Sequence, residues 1–225
     1  MGNRCNYRRP NFDKCEDKAT ELLSEQTIKN SLITVEDLNF DKFGGNIVFE
    51  SMQSYSKITG YDFMEFVKVG YIQDGFTIHK DGVFIILYND ELPEERINWT
   101  MAHEVGHILL GHTNNKNCLN KINCKNEYGC DVEEVEANWF AAQLLMPKYV
   151  IYRINQKKKL RWQDLYYMFN VSREAAKNRF KYIENMTIQY DERNKVIWRN
   201  MYPSVVGYYM NYNAYNKNIR EDENM

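Results

Sequence analysis

The sequence predicts an α+β fold. A small antiparallel sheet lies against a long helix, and a helix-turn-helix-like helical segment follows. Three observations predict this. Strand-forming residues between Phe66 and Tyr88 are divided by the turn pair Asp81-Gly82. Two helical patterns follow, from Glu94 to Leu110 and from Asp131 to Pro147, each bracketed by start and stop residues. Beyond residue 150, two short helical patterns flank Asn170-Val171-Ser172, where Ser172 suits the cap of the second.

The bulk numbers bound the possibilities. A chain of 225 residues holds one good-sized domain, or a domain with a small appendage. The apolar share of 44% is ordinary for a globular protein. A net charge of −2 provides no general pull toward nucleic acid or membrane. The apolar runs are short, as in Val83 to Leu87, far below a membrane span. The basic start has no apolar stretch behind it, so no secretory signal is read. Asn6 stands where a myristoylation signal wants Ser or Thr. Five cysteines, an odd number, suit reduced thiols. A cytoplasmic protein is expected.

Taken in order, residues 11–30 read as a helix with Ala19, Leu22, Leu23 and Ile28 as a rough apolar stripe. Thr34 to Leu38 looks like a cap and first turn. Gly44-Gly45 breaks the chain, and Asn46 to Ser51 fits strand and helix equally. Phe66 to Ile72, Phe76 to His79 and Val83 to Tyr88 read as strands. The last is apolar on both faces, so both should be covered. His79, just before the turn, is expected to be an exposed strand residue.

Pro93 suits a first helical turn, with Glu94 and Glu95 at the positive end of the dipole. Gly111 supplies the stop. Gly106 falls inside this helix, where it costs about 1 kcal/mol against Ala. Close approach of another backbone would explain it. The Asn-rich loop 113–130 spaces Cys118, Cys124 and Cys130 by six residues. With His112 they could hold a metal ion, but the spacing is no recognised knuckle, and free thiols are favoured.

The expected organisation is a main domain over 1–150 and a helical appendage over 151–187. A Tyr- and Asn-rich tail over 188–225 follows. Residues 186–210 are expected to add a strand or two, and the last dozen to be disordered.

The chemistry concentrates in His103-Glu104-Val105-Gly106-His107. The chain has four histidines, and His103, His107 and His112 are three of them. Residues four apart on a helix share a face one turn apart, which suits two ligands on one tetrahedral Zn²⁺. Glu104 can reach a water there without ligating the metal. This is the HExxH arrangement of zinc peptidases, with the Glu as general base. On the second helix, Glu134, Ala137, Asn138, Ala141 and Leu145 share a face that reads as buried. A buried carboxylate needs a partner, so Glu134 is the expected third ligand. Asn138 is placed to hydrogen-bond a ligand imidazole. Glu133 and Glu136 point elsewhere and should be solvated. Glu136 stays the alternative ligand, because helix phase is uncertain by a residue.

The stretches Trp99 to His112 and Glu134 to Pro147 resemble the ImmA/IrrE family of metallopeptidases. Its members show an AHExGHxxLGH helix followed by an ExEAxxFAxxLLMP helix, and both patterns occur here in that order. The strand hairpin before them and the "FNVS" helical pair after them fit as well, so the resemblance covers roughly residues 70–185. It implies a zincin-like fold and a Zn²⁺-dependent, substrate-selective peptidase. It also implies a substrate that is a helix-turn-helix repressor of a mobile element or stress response, cleaved to relieve repression. By position, His103 and His107 match the histidine ligands, Glu104 the general base and Glu134 the acidic ligand. The Cys-containing loop departs from the family pattern. A metzincin reading is weak, since His112 follows His107 by five residues rather than six.

A competing reading is a metal-containing regulatory module that binds a repressor or DNA without cleaving it, or a part of a toxin-antitoxin cassette. Arg173, Lys177, Arg179 and Lys181 make the helix after Ser172 basic, as a groove-facing helix would be. Packing of that helical pair beside the catalytic domain is favoured over direct DNA binding.

Overall fold

The computed structural model describes residues 9–28, 30–44, 46–68, 74–112, 130–183, 188 and 191–222. The chain divides into two compact units, Met1–Leu22 with Thr34–Leu145, and Leu23–Ile33 with Met146–Met225.

The first unit is mixed α and β. Helix α1 (Phe12–Ser24) belongs to it as far as Leu22, and the Asn11 side chain caps its start by accepting the Lys14 N–H at 3.0 Å. Strand β1 (Asn46–Ser51) follows, then helices α2 (Met52–Thr59) and α3 (Phe63–Lys68). Next come strands β2 (Gly75–Lys80) and β3 (Val83–Tyr88) and the long helices α4 (Glu94–Leu110) and α5 (Cys130–Leu145).

The sheet has three strands in the order β1-β3-β2. It is mixed rather than antiparallel: β2 and β3 form the expected hairpin, but β1 runs parallel to β3. Strands joined by two residues can only turn back on themselves, whereas α2, α3 and β2 provide the length a parallel crossover needs. Asp81 (φ 52°) and Gly82 (φ 78°) are both left-handed, as a two-residue primed turn requires. The segment starting at Phe66 is a second correction. It begins inside α3, not in a strand, and residues 69–73 lie outside the described residues. Asp62 accepts the N–H groups of Met64 and Glu65 at 3.0 and 3.2 Å, a helix-starting cap that outweighs β-propensity.

The central strand explains its own composition. Ile86 and Leu87 are fully buried. Leu87 packs with Met52 and Met64, joined by Phe76, Ile78 and Ile85 from the sheet, under α2 and α3. The opposite face of the sheet carries Thr77, His79 and Ile86 by alternation. Helix α4 lies against β2 and β3, with Met101, Ala102 and Val105 buried. His79 is exposed, stacked on its cross-strand partner Phe84 at 4.1 Å.

The second unit is helical, with α6 (Lys148–Asn155), α7 (Trp162–Phe169), α8 (Arg173–Ile183) and α9 (Glu192–Asp222). Between α7 and α8, Asn170 takes a left-handed conformation and Ser172 Oγ accepts the Ala175 N–H at 3.1 Å. Arg179 is 3% exposed, and its Nε donates to the Met146 carbonyl at 3.0 Å, so it is no surface cation. The Lys177 ammonium sits 4.7 Å from the Trp162 ring. From Glu192, the strand expected within 186–210 is helix instead. Ile197, Met201 and Val205 recur every four residues and are all buried, a helical stripe rather than an alternating one. No helix among the described residues is long and apolar enough to cross a membrane.

Candidate metal centre

Helix geometry brings the two histidines of α4 together. The rings of His103 and His107 meet edge to face with centroids 4.7 Å apart, and their Nε2 atoms are 3.0 Å apart. Helix α5 supplies the third group. Glu134 Oε2 lies 3.1 Å from His103 Nε2, and Oε1 lies 3.3 Å from His107 Nε2. A tetrahedral Zn²⁺ with bonds of about 2.0–2.1 Å holds its ligand atoms about 3.3 Å apart. Two imidazoles and one carboxylate at this spacing therefore fit zinc in both chemistry and geometry. The structure brings together His103, His107 and Glu134, and among the described residues this is a group able to hold a metal ion.

Charge follows from the same contacts. Burial would push the Glu134 carboxyl up, but the close approach of the His103 and His107 imidazoles outweighs it and holds the carboxyl well below the usual range. Burial also opposes charge on His103. Its bond to Glu134 and the nearby Glu104 carboxylate reverse that and raise it. The Glu134 side chain is exposed while His107 is buried, so the group opens toward solvent on the Glu134 side.

The approach of α5 to α4 depends on Gly106. A Cβ there would meet Phe140 Cδ1 at 3.1 Å, the Ala137 carbonyl oxygen at 3.2 Å and the Ala137 Cα at 3.3 Å. The neighbouring backbone is thus the reason for a glycine between the two histidines. Gly106→Val is expected to force the helices apart and lower stability by about 1–3 kcal/mol. Gly106→Ala gains about 1 kcal/mol of helix propensity, which offsets its milder crowding. Thermal unfolding of the two variants, with zinc uptake measured alongside, checks this. A Val variant as stable as the parent would contradict it.

Around the group, Asn138 Oδ1 stands 3.2 Å from His103 Nδ1, and its Nδ2 donates to the Glu134 carbonyl at 2.9 Å. That second bond orients the amide with its oxygen toward the ring. Two expectations about α5 need correction. Glu134 and Asn138 are exposed, whereas Ala137, Ala141 and Leu145 are buried. The i, i+4 row of Glu134 and Asn138 borders the packed row of small residues instead of joining it, at the rim of the site. Glu136, expected to be solvated, is 2% exposed. Its Oε2 lies 2.9 Å from His112 Nε2, and its Oε1 accepts the Asn11 backbone N–H at 2.8 Å. Glu136 is outside the three-residue group.

His112 reaches this place through Gly111, whose φ of 83° ends α4 and turns the chain back. Its Nδ1 lies 3.1 Å from His107 Nδ1, so both ring nitrogens face partners. Burial, together with the nearby His107, lowers the His112 pKa. Cys118 and Cys124 lie outside the described residues, as does the side chain of Cys130.

Glu104 has a partner that the sequence reading missed. Thr77 on β2 donates its hydroxyl to Glu104 Oε2 at 2.6 Å. The alternation Phe76-Thr77-Ile78 carries the signal, since it turns Thr77 away from the apolar face.

A mixed sheet backed by a helix with two turn-spaced histidines, closed by a carboxylate from the next helix, has the layout of a metallopeptidase-type protein. The match to a known family agrees: the Peptidase_M78 family, described as the IrrE N-terminal-like domain, matches residues 63–181, over half of the chain. The chain belongs to this family. None of the curated proteins matched it.

Proposed function

We propose that this protein is a zinc-dependent endopeptidase whose substrate is a helix-turn-helix transcriptional repressor. The observation that carries the chemistry is the convergence of His103 Nε2, His107 Nε2 and a Glu134 oxygen, with Glu104 one residue from the first ligand. The substrate class rests on the resemblance to ImmA/IrrE proteins.

His103, His107 and Glu134 would hold the ion. A zinc ion in that place supplies a Lewis acid that acidifies water and polarises a carbonyl. Glu104 takes a proton from the attacking water and passes it to the leaving amine. Thr77 holds the Glu104 carboxylate toward the site. Asn138 keeps the His103 ring turned so that Nε2 faces the group. Strand β2 is an edge strand among the described residues, and its Thr77 already touches Glu104. An extended peptide adding to that edge would lie beside the base.

Thr77→Val is expected to lower kcat/KM by about ten- to a hundredfold, since a hydrogen bond to a charged group contributes about 1.5–3 kcal/mol. Thr77→Ser should retain activity. Equal activity in all three proteins would remove Thr77 from the mechanism.

The direct test uses the purified protein and any helix-turn-helix repressor that a neighbouring reading frame encodes. One zinc per chain and repressor cleavage that a chelator stops would support the proposal. Tight repressor binding with no cleavage at any zinc level would overturn it in favour of a regulatory binding module.

A further inference from the structure

A buried chain of hydrogen-bonding groups runs from the candidate ligand His107 to the N-terminal segment. His107 Nδ1 faces His112 Nδ1 at 3.1 Å, and His112 Nε2 faces Glu136 Oε2 at 2.9 Å. Glu136 Oε1 accepts the Asn11 N–H at 2.8 Å. His107, His112 and Glu136 are 5%, 3% and 2% exposed, so water does not substitute for these partners.

Proton positions in this chain are linked. A carboxylate only accepts, so the His112 proton belongs on Nε2, where it donates to Glu136. In the neutral ring, His112 Nδ1 is then an acceptor, and His107 must carry its proton on Nδ1 to donate to it. That leaves the lone pair of His107 on Nε2, the atom facing His103 and Glu134. With the opposite tautomer, His107 Nε2 would carry a hydrogen and could not ligate.

The far end of the chain is held on both helices of the site. Lys14 Nζ donates to the Leu110 carbonyl at 2.9 Å at the end of α4. On α5, the Trp139 indole donates to Glu16 at 3.2 Å, and its ring packs at a tilt against Phe12, with centroids 4.3 Å apart.

We propose that His112, Glu136 and the backbone amide of Asn11 are positioning groups that fix His107 as an Nε2 ligand. The segment around Asn11 and α1, which precedes the family match at residue 63, is then a working part of the metal centre. This inference rests on the zinc reading above.

The test begins with the full chain labelled with ¹⁵N-histidine and loaded with zinc. Imidazole spectra are expected to show His107 protonated on Nδ1 and His112 on Nε2. A proton on His112 Nδ1 would overturn the inference, and this measurement needs no variant to fold. Zinc affinity by chelator competition follows. Glu136→Gln and His112→Phe are each expected to weaken zinc by about ten- to a hundredfold with helical content unchanged. Asn11→Pro, which removes the N–H, should bind zinc more weakly than Asn11→Ala, which removes only the side-chain cap. Unchanged zinc affinity in these variants would overturn the inference alone. A wild-type chain that takes up no zinc would overturn it together with the zinc reading.

Discussion

Glu104→Gln is expected to abolish peptide cleavage while zinc stays bound. The substitution preserves shape, and the Gln carbonyl can still accept the Thr77 hydroxyl that now reaches Glu104 at 2.6 Å. The three ligand groups His103, His107 and Glu134 are untouched. What disappears is the group that takes a proton from water and returns it to the leaving amine. General acid–base catalysis contributes about 10²–10⁴-fold, so the cleavage rate should fall by that factor. Rate and bound zinc must be measured on the same preparation. Undiminished cleavage with full zinc content would disprove the general-base role.

Glu134→Ala should cost the metal itself. Its two oxygens lie 3.1 and 3.3 Å from the Nε2 atoms of the two histidines. Its removal leaves two imidazoles with no anionic ligand. Loss of a partner outside the ligand shell weakens metal binding by about 10- to 100-fold, and loss of a ligand should exceed that. Glu136→Ala provides the comparison. Its carboxylate bonds to His112 and Asn11 rather than to the three-residue group, so its effect should stay within the smaller range. Chelator competition on both variants decides between them. If Glu136→Ala strips zinc while Glu134→Ala retains it, the ligand assignment is reversed.

Part of this protein is legible in local sequence. The ends of α4 follow from Pro93, Glu94, Glu95 and Gly111, because caps and helix dipoles act within a turn. The β2–β3 hairpin follows from Asp81-Gly82 for the same reason. The spacing of His103 and His107 needs only helical period to put both on one side. The resemblance to a known family is equally local, since it rests on two contiguous stretches.

Other features depend on partners far along the chain. Parallel pairing of β1 needs β3, a choice no pattern within Asn46–Ser51 encodes. Period alone places Glu134 and Glu136 on different sides of α5, but not which side meets α4 and which meets α1. Packing decides that: Ala137 lies against Gly106, which turns Glu134 to the histidines and Glu136 to His112 and the Asn11 amide. The sequence by itself determined which residue types face one another across a turn. The tertiary structure decided which carboxylate stands by the two histidines and which is buried behind them. Side chains 31 residues apart acquire a fixed distance only when the helices that carry them pack.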